Sequence, residues 1–145
     1  ALEYRHPFID NSYPFIDVIP EEEVLKEYYG PDIIDMINWI NHNTDSDSSI
    51  VTYTNLKYYF ERDIFTLNSV YFEEIHKASN FSIVLNILHT KGINYYLEVP
   101  FESKAVFMMD YDLYHNCSIR TNLDNDNVTL AKSYGDVKLY RLNYL

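Results

Sequence analysis

Residues 20–43 read PEEEVLKEYYGPDIIDMINWINHN, and this stretch decides the fold. Pro20 suits a first helical position, where its missing N–H costs nothing. Glu21, Glu22 and Glu23 then fill the first turn, where negative charge meets the positive end of the helix dipole. Val24, Leu25 and Tyr28 give the segment an apolar side, and Gly30 ends it as a residue free to take positive φ. Pro31 and Asp32 start a second helix by the same logic. Ile33, Ile37 and Ile40 share one face of it, which Ile34, Met36 and Trp39 widen, so most of this helix is expected to be buried. The acids of the first segment cannot be buried unpaired and must meet water or a partner.

Upstream, His6-Pro7-Phe8-Ile9-Asp10 returns as Tyr13-Pro14-Phe15-Ile16-Asp17. Each Pro drives its predecessor to extended geometry, so residues 1–19 read as an extended strap laid on the domain. Downstream, the polar loop NTDSDSS leads to a short strand over Ile50–Tyr53. Thr54 is placed to cap a helix running through Leu56, Phe60 and Ile64. Ser69 is placed to cap another, with Tyr71, Ile75 and Ala78 inward.

From Phe81 the period changes to two. Phe81, Ile83, Leu85 and Ile87 alternate with their neighbours as one strand. Thr90-Lys91-Gly92 makes a tight turn, and Ile93, Tyr95, Leu97 and Val99 return. Lys104–Tyr114 reads as a third strand and Ser118–Leu123 as a fourth. Val128–Tyr134 and Val137–Tyr144 form a last hairpin around Gly135-Asp136. The expected architecture is α+β: strap and helices packed on one face of a C-terminal antiparallel meander. No composition break divides the chain, so residues 1–145 are expected to form one domain, with 1–19 extended, 20–79 mainly helical and 80–145 sheet.

The 145 residues carry a net charge of −11. Residues 1–50 hold 2 basic against 11 acidic side chains, so −9 of that −11 lies in the first third. Such asymmetry creates a directional field that suits a basic partner. Nucleic acid is excluded as a partner because no Lys/Arg cluster is present. No apolar run reaches the 18 or so residues of a membrane span. No signal peptide is visible, which leaves cytoplasmic and secreted both open. The single cysteine excludes an intrachain disulfide. The 15 tyrosines, with abundant Asn and Ile and only 3 glycines, fit an AT-rich gene of viral or low-GC bacterial type. The same scarcity of glycine excludes Gly-rich phosphate cradles and dinucleotide fingerprints, and no cofactor is implied.

Three constellations bear on function. The first is the acidic cluster of Glu21, Glu22, Glu23, Glu27, Asp32 and Asp35, rimmed by Tyr28 and Tyr29. Charge speeds association with a basic surface and the rings anchor it. The second is Asp110 and Asp112, two apart on an expected strand and followed by His115 and Cys117. These types could serve acid–base or nucleophilic chemistry in a small hydrolase or transferase. The third is a set of three glycosylation sequons, at Asn80, Asn116 and Asn127, which suits a secreted recognition domain. Asn122, Asp124 and Asp126 match the start of a calcium loop, but Asn127 and Ser133 stand where that loop needs Gly and Glu, so a plain turn is expected. No His/Cys spacing matches zinc. The leading expectation is a non-enzymatic module that inhibits or neutralises a basic protein, as an immunity protein, a nucleic-acid mimic or a viral captor of a host factor does.

Overall fold

The computed structural model describes residues 22–54, 56–106 and 111–144. The expected strap therefore lies outside the described residues, as do Glu21 and Asp110. The architecture is α+β. In chain order it runs α1 (Glu22–Tyr29), α2 (Pro31–Asn43), β1 (Ser49–Thr52), β2 (Asp63–Thr66), α3 (Glu73–Lys77), α4 (Phe81–Thr90), β3 (Tyr95–Glu98), α5 (Tyr111–His115), β4 (Val128–Tyr134) and β5 (Val137–Leu142).

The strands form one sheet in the order β2-β1-β3-β5-β4. β1 runs parallel to both β2 and β3, while β5 runs antiparallel to both β3 and β4. The sheet is thus mixed, and only its C-terminal half is antiparallel. Register fixes two faces. Ile50 lies beside Tyr95, and Thr52 beside Leu97 and then Leu139. Val51 lies beside Tyr96 and then Tyr140, on the opposite face.

Helices cover both faces, not one. Ile33, Met36, Ile37 and Ile40 of α2 pack with Ile50, Leu97 and Leu139. Phe81, Val84 and Leu88 of α4 pack with Val51 and Tyr96 on the other side. The cause is β3 itself: Tyr95, Tyr96 and Leu97 are consecutive and all buried, so the strand needs cover on both faces. Each of these fully buried side chains contributes roughly 1.5–3 kcal/mol.

α1 and α2 form as their sequence dictates. Gly30 sits between them at φ 94°, with its N–H donating to the Lys26 carbonyl at 2.9 Å. β1 and the last hairpin also form where expected, with Gly135 at φ 59° in the turn. Four expected elements differ. Residues 81–90 are helix, because Asn80 caps them and the buried set Phe81, Val84, Leu88 has helical spacing. Gly92, at φ 73°, closes that helix: its N–H donates to His89 O and the next N–H, Ile93, donates to Leu88 O, both at 3.0 Å. This is a Schellman closure. The helix expected after Thr54 is a single 3-10 turn at Lys57–Tyr59 followed by β2. Thr54 does not cap a helix; its hydroxyl donates to Ala105 O at 2.7 Å and accepts from Leu56 N. The strand expected at 104–114 leaves one bridge, Thr54 with Val106, and then α5; residues 107–110 are outside the described set. The strand expected at 118–123 is a 3-10 turn, with Asn122 donating through Nδ2 to Ser118 O at 2.6 Å.

At Ser69 the chain enters a 3-10 turn, Val70–Phe72, and then α3, with Ile75 buried as expected but Phe72 inward in place of Tyr71, which is exposed. Among the described residues no helix is long and apolar enough to cross a membrane.

Candidate functional site

The acidic cluster is carried by α1 and the first turn of α2. Glu22, Glu23, Glu27 and Tyr28 are exposed on α1, and Asp32 is exposed on α2. α1 contains no buried residue; Leu25 and Tyr29 alone lean on the core, and Val24 and Tyr28 stand 56% and 54% exposed. The two tyrosine rings meet edge to face at 4.7 Å. Burial raises the Tyr29 phenol above its ordinary value.

The charge is less open than the sequence implies. Lys26 Nζ lies 3.0 Å from Asp35 and 3.8 Å from Glu22. Glu22 also accepts from the Asn38 amide. Asp32 packs against the hairpin turn at Gly135. Glu23 and Glu27 are exposed, and among the described residues neither forms an ion pair. Lys104 adds a cation 4.7 Å from the Tyr28 ring.

Of the second constellation, Asp110 lies outside the described residues. Asp112 is exposed on α5, His115 is half-buried, and Cys117 is 1% exposed in the core. Cys117 lies beside the Tyr53 phenol, whose ionisation is pushed far up chiefly by burial and further by the thiol. It serves there as a small apolar side chain.

His115 instead lines a cleft of about 320 Å³ that the sequence reading did not foresee. The cleft opens beside the carboxyl end of β3. Its floor is Glu98, the last residue of β3, only 13% exposed at the side chain. Arg120 Nε lies 3.0 Å from Glu98 Oε2, an ionic contact whose N–H is not aligned for a hydrogen bond. The buried Tyr96 hydroxyl donates to Glu98 Oε1. Lys138 stands directly across from Glu98 on β5. Tyr114 donates to Val99 O at 2.6 Å and stacks under the Arg120 guanidinium at 4.7 Å.

Aromatic rings make the wall. Phe101 lies 5.1 Å from Tyr114 and 5.7 Å from His115, ring to ring. Tyr140 closes the β5 side, and Glu102 and Asp136 stand exposed at the mouth. Burial raises the phenols of Tyr96, Tyr114 and Tyr140, and the Glu98 carboxylate raises them further. All three therefore remain O–H donors at neutral pH. Burial works against the Arg120 charge, but Tyr114 and Glu98 outweigh it and hold the guanidinium protonated.

Two signals in the sequence point to this cleft. Glu98 is a lone acid ending the apolar run Tyr95-Tyr96-Leu97, and Arg120 is one of only 4 Arg in the chain. Neither belongs to a local motif, because the pair is assembled across 22 positions.

The other candidates are plain loops. Asn125 N donates to Asn122 O at 3.0 Å, and Asn127 N donates to Asn125 Oδ1 at 2.9 Å, which folds residues 122–128 into turns. Among the described residues no group of three or more His, Cys, Asp or Glu side chains is placed to hold a metal ion. Of the sequon residues, Asn80 and Asn116 are exposed, while Asn127 is half-buried with its Nδ2 donating to Asn143 O at 2.8 Å. The chain matches no protein-family model, and a search of curated proteins finds no relative.

Proposed function

We propose that this chain is a binding module that docks a basic protein surface through the outer side of α1. The observation that carries the reading is the state of α1: eight residues, none buried, showing Val24 and Tyr28 alongside Glu23 and Glu27. A helix that gives so little to its own core, yet keeps apolar side chains beside carboxylates, has the composition of an interface: anchors flanked by charge. The −9 of residues 1–50 supplies the long-range field that steers a cationic partner to it. Lys26 sets the polarity of the patch by neutralising its α2 side, through Asp35, and leaving its outer side anionic.

The test uses an immobilised array of peptides graded in Lys and Arg content. Wild-type protein is expected to be retained in proportion to peptide charge, with affinity falling as salt rises. Glu23→Gln with Glu27→Gln flattens the salt dependence, Tyr28→Ala weakens retention at every salt concentration, and Lys26→Gln steepens it. Equal retention of wild type and the Glu23/Glu27 double variant at low salt overturns the reading.

A further inference from the structure

No residue of α1 lines the cleft at the end of β3, and no part of the docking reading uses it. We propose that it is a binding site for a small, uncharged, polyhydroxylated ring, of the size of one monosaccharide unit.

Three observations select that chemistry. Charges of both signs surround the cleft: Glu98 is met by Arg120 at 3.0 Å, Lys138 stands across from Glu98 on β5, and Glu102 and Asp136 stand at the mouth. A ligand of one sign meets repulsion there as well as attraction, whereas hydroxyl groups, which donate and accept at once, can use carboxylates and cations alike through charge-assisted hydrogen bonds. The walls are aromatic. Phe101 and Tyr140, both half-buried, offer ring faces of negative potential against which the C–H face of a sugar ring packs, with Tyr114 buried behind Phe101. The size is limiting, since about 320 Å³ is the low end for a ligand pocket and holds one ring rather than an extended chain.

Placement agrees with this selection. The cleft lies outside the carboxyl end of β3 where that strand meets β5, so that Glu98 comes from one strand and Lys138 and Tyr140 from the other. The Tyr114 and Tyr96 hydroxyls are committed to Val99 O and Glu98, and Tyr140, half-buried on β5, keeps its O–H at neutral pH.

The experiment is an NMR titration of the full chain, isotope-labelled, with D-glucose and N-acetylglucosamine. Glycine and inorganic phosphate serve as zwitterionic and anionic comparators. Saturable shifts are expected with at least one sugar at Phe101, His115 and Tyr140, in the low-millimolar range that a single-ring ligand reaches. Phe101→Ala is expected to weaken binding about 10-fold through the lost wall. Glu102→Gln, at the exposed mouth, is expected to weaken it about 3-fold without disturbing the fold; it carries the test if Phe101→Ala fails to fold. Absence of saturable sugar shifts, stronger shifts with phosphate or glycine, or unchanged affinity in the folded variants overturns the proposal. None of these outcomes involves α1, so failure here leaves the docking reading where it stood.

Discussion

Arg120 Nε reaches Glu98 Oε2 at 3.0 Å on the floor of the cleft, with side-chain exposures of 30% and 13%. The carboxylate ends a strand buried on both faces, and its other oxygen accepts from Tyr96. An uncompensated carboxylate in that position costs more than the pair itself contributes. Replacing Arg120 by Met is therefore expected to lower stability by about 2–3 kcal/mol, less than for a fully buried pair because a third of the Arg stays wet. Glu98→Gln in the same background is expected to recover part of that loss. Denaturant unfolding of the four members of the cycle measures it, and a single Arg120→Met variant as stable as wild type would refute the argument.

A second prediction concerns alkaline pH. Tyr53, Tyr96, Tyr114 and Tyr144 all have phenols raised by burial, so the folded chain holds protons that the unfolded chain releases. The sign follows from linkage: above the unfolded phenol value of about 10 the unfolded state binds fewer protons, and stability falls as pH rises. Lys26 adds in the same direction, its ammonium being raised by the hydrogen bond to Asp35. The stability these groups contribute is full below pH of about 10 and is lost above it. Melting temperatures measured between pH 8 and roughly 11 should decline with a slope that shrinks in Tyr53→Phe. Tyr53 is the informative choice because its buried hydroxyl meets only the Cys117 thiol, a weak partner. Removing that poorly satisfied group is expected to be neutral or to stabilise by roughly 1 kcal/mol at neutral pH. A loss of stability in Tyr53→Phe at pH 7 would contradict the assignment.

The same physics shows what was legible in the sequence. α1, α2, β1 and the last hairpin were legible because each has a local punctuation mark: Pro at a helix start, Gly30 and Gly135 at positive φ, unbroken periodicity between. α4 was not. In FSIVLNILHT the alternating set Phe81, Ile83, Leu85, Ile87 and the helical set Phe81, Val84, Leu88 are both apolar, so period alone gives no decision. The deciding marks sit at its ends, Asn80 and Gly92, and each also reads as a turn residue. Part of the mixed sheet follows from that difference: once residues 81–90 are helix, they join the crossover from β2 to β3 that lets β3 lie parallel to β1, while the parallel β1–β2 pair is joined through residues 53–62. The cleft was not legible for another reason. Glu98, Arg120 and Tyr140 belong to no shared motif, and only the folded sheet brings them to one floor.

Those end marks carry the third prediction. Asn80 Oδ1 accepts from Ile83 N at 3.1 Å, and Asn80→Ala is expected to cost about 1 kcal/mol. Gly92→Ala forces a side chain to φ 73° and is expected to cost about 1–2 kcal/mol, although nothing lies within 4 Å of the added methyl. The two sites are at opposite ends of α4, so their costs should add. Chemical denaturation of both single variants and the double variant tests this. An Asn80→Ala variant with wild-type stability would mean that packing of Phe81, Val84 and Leu88 alone holds the helix.

Gly135 makes a sharper case, because two separate penalties meet there. Its φ of 59° strains any residue with a side chain, and a methyl group in that position would overlap the Asp32 carboxylate. The backbone penalty is about 1–2 kcal/mol and is present whatever stands at position 32. The overlap is different: the Asp32 side chain is exposed, so it can turn aside at the expense of its own preferred rotamer. Gly135→Ala is therefore expected to destabilise more in the wild-type background than in Asp32→Ala, by about 0.5–1.5 kcal/mol. A double-mutant cycle separates the two contributions. Equal cost of Gly135→Ala in both backgrounds would show that the hairpin turn and α2 are not in contact through this pair.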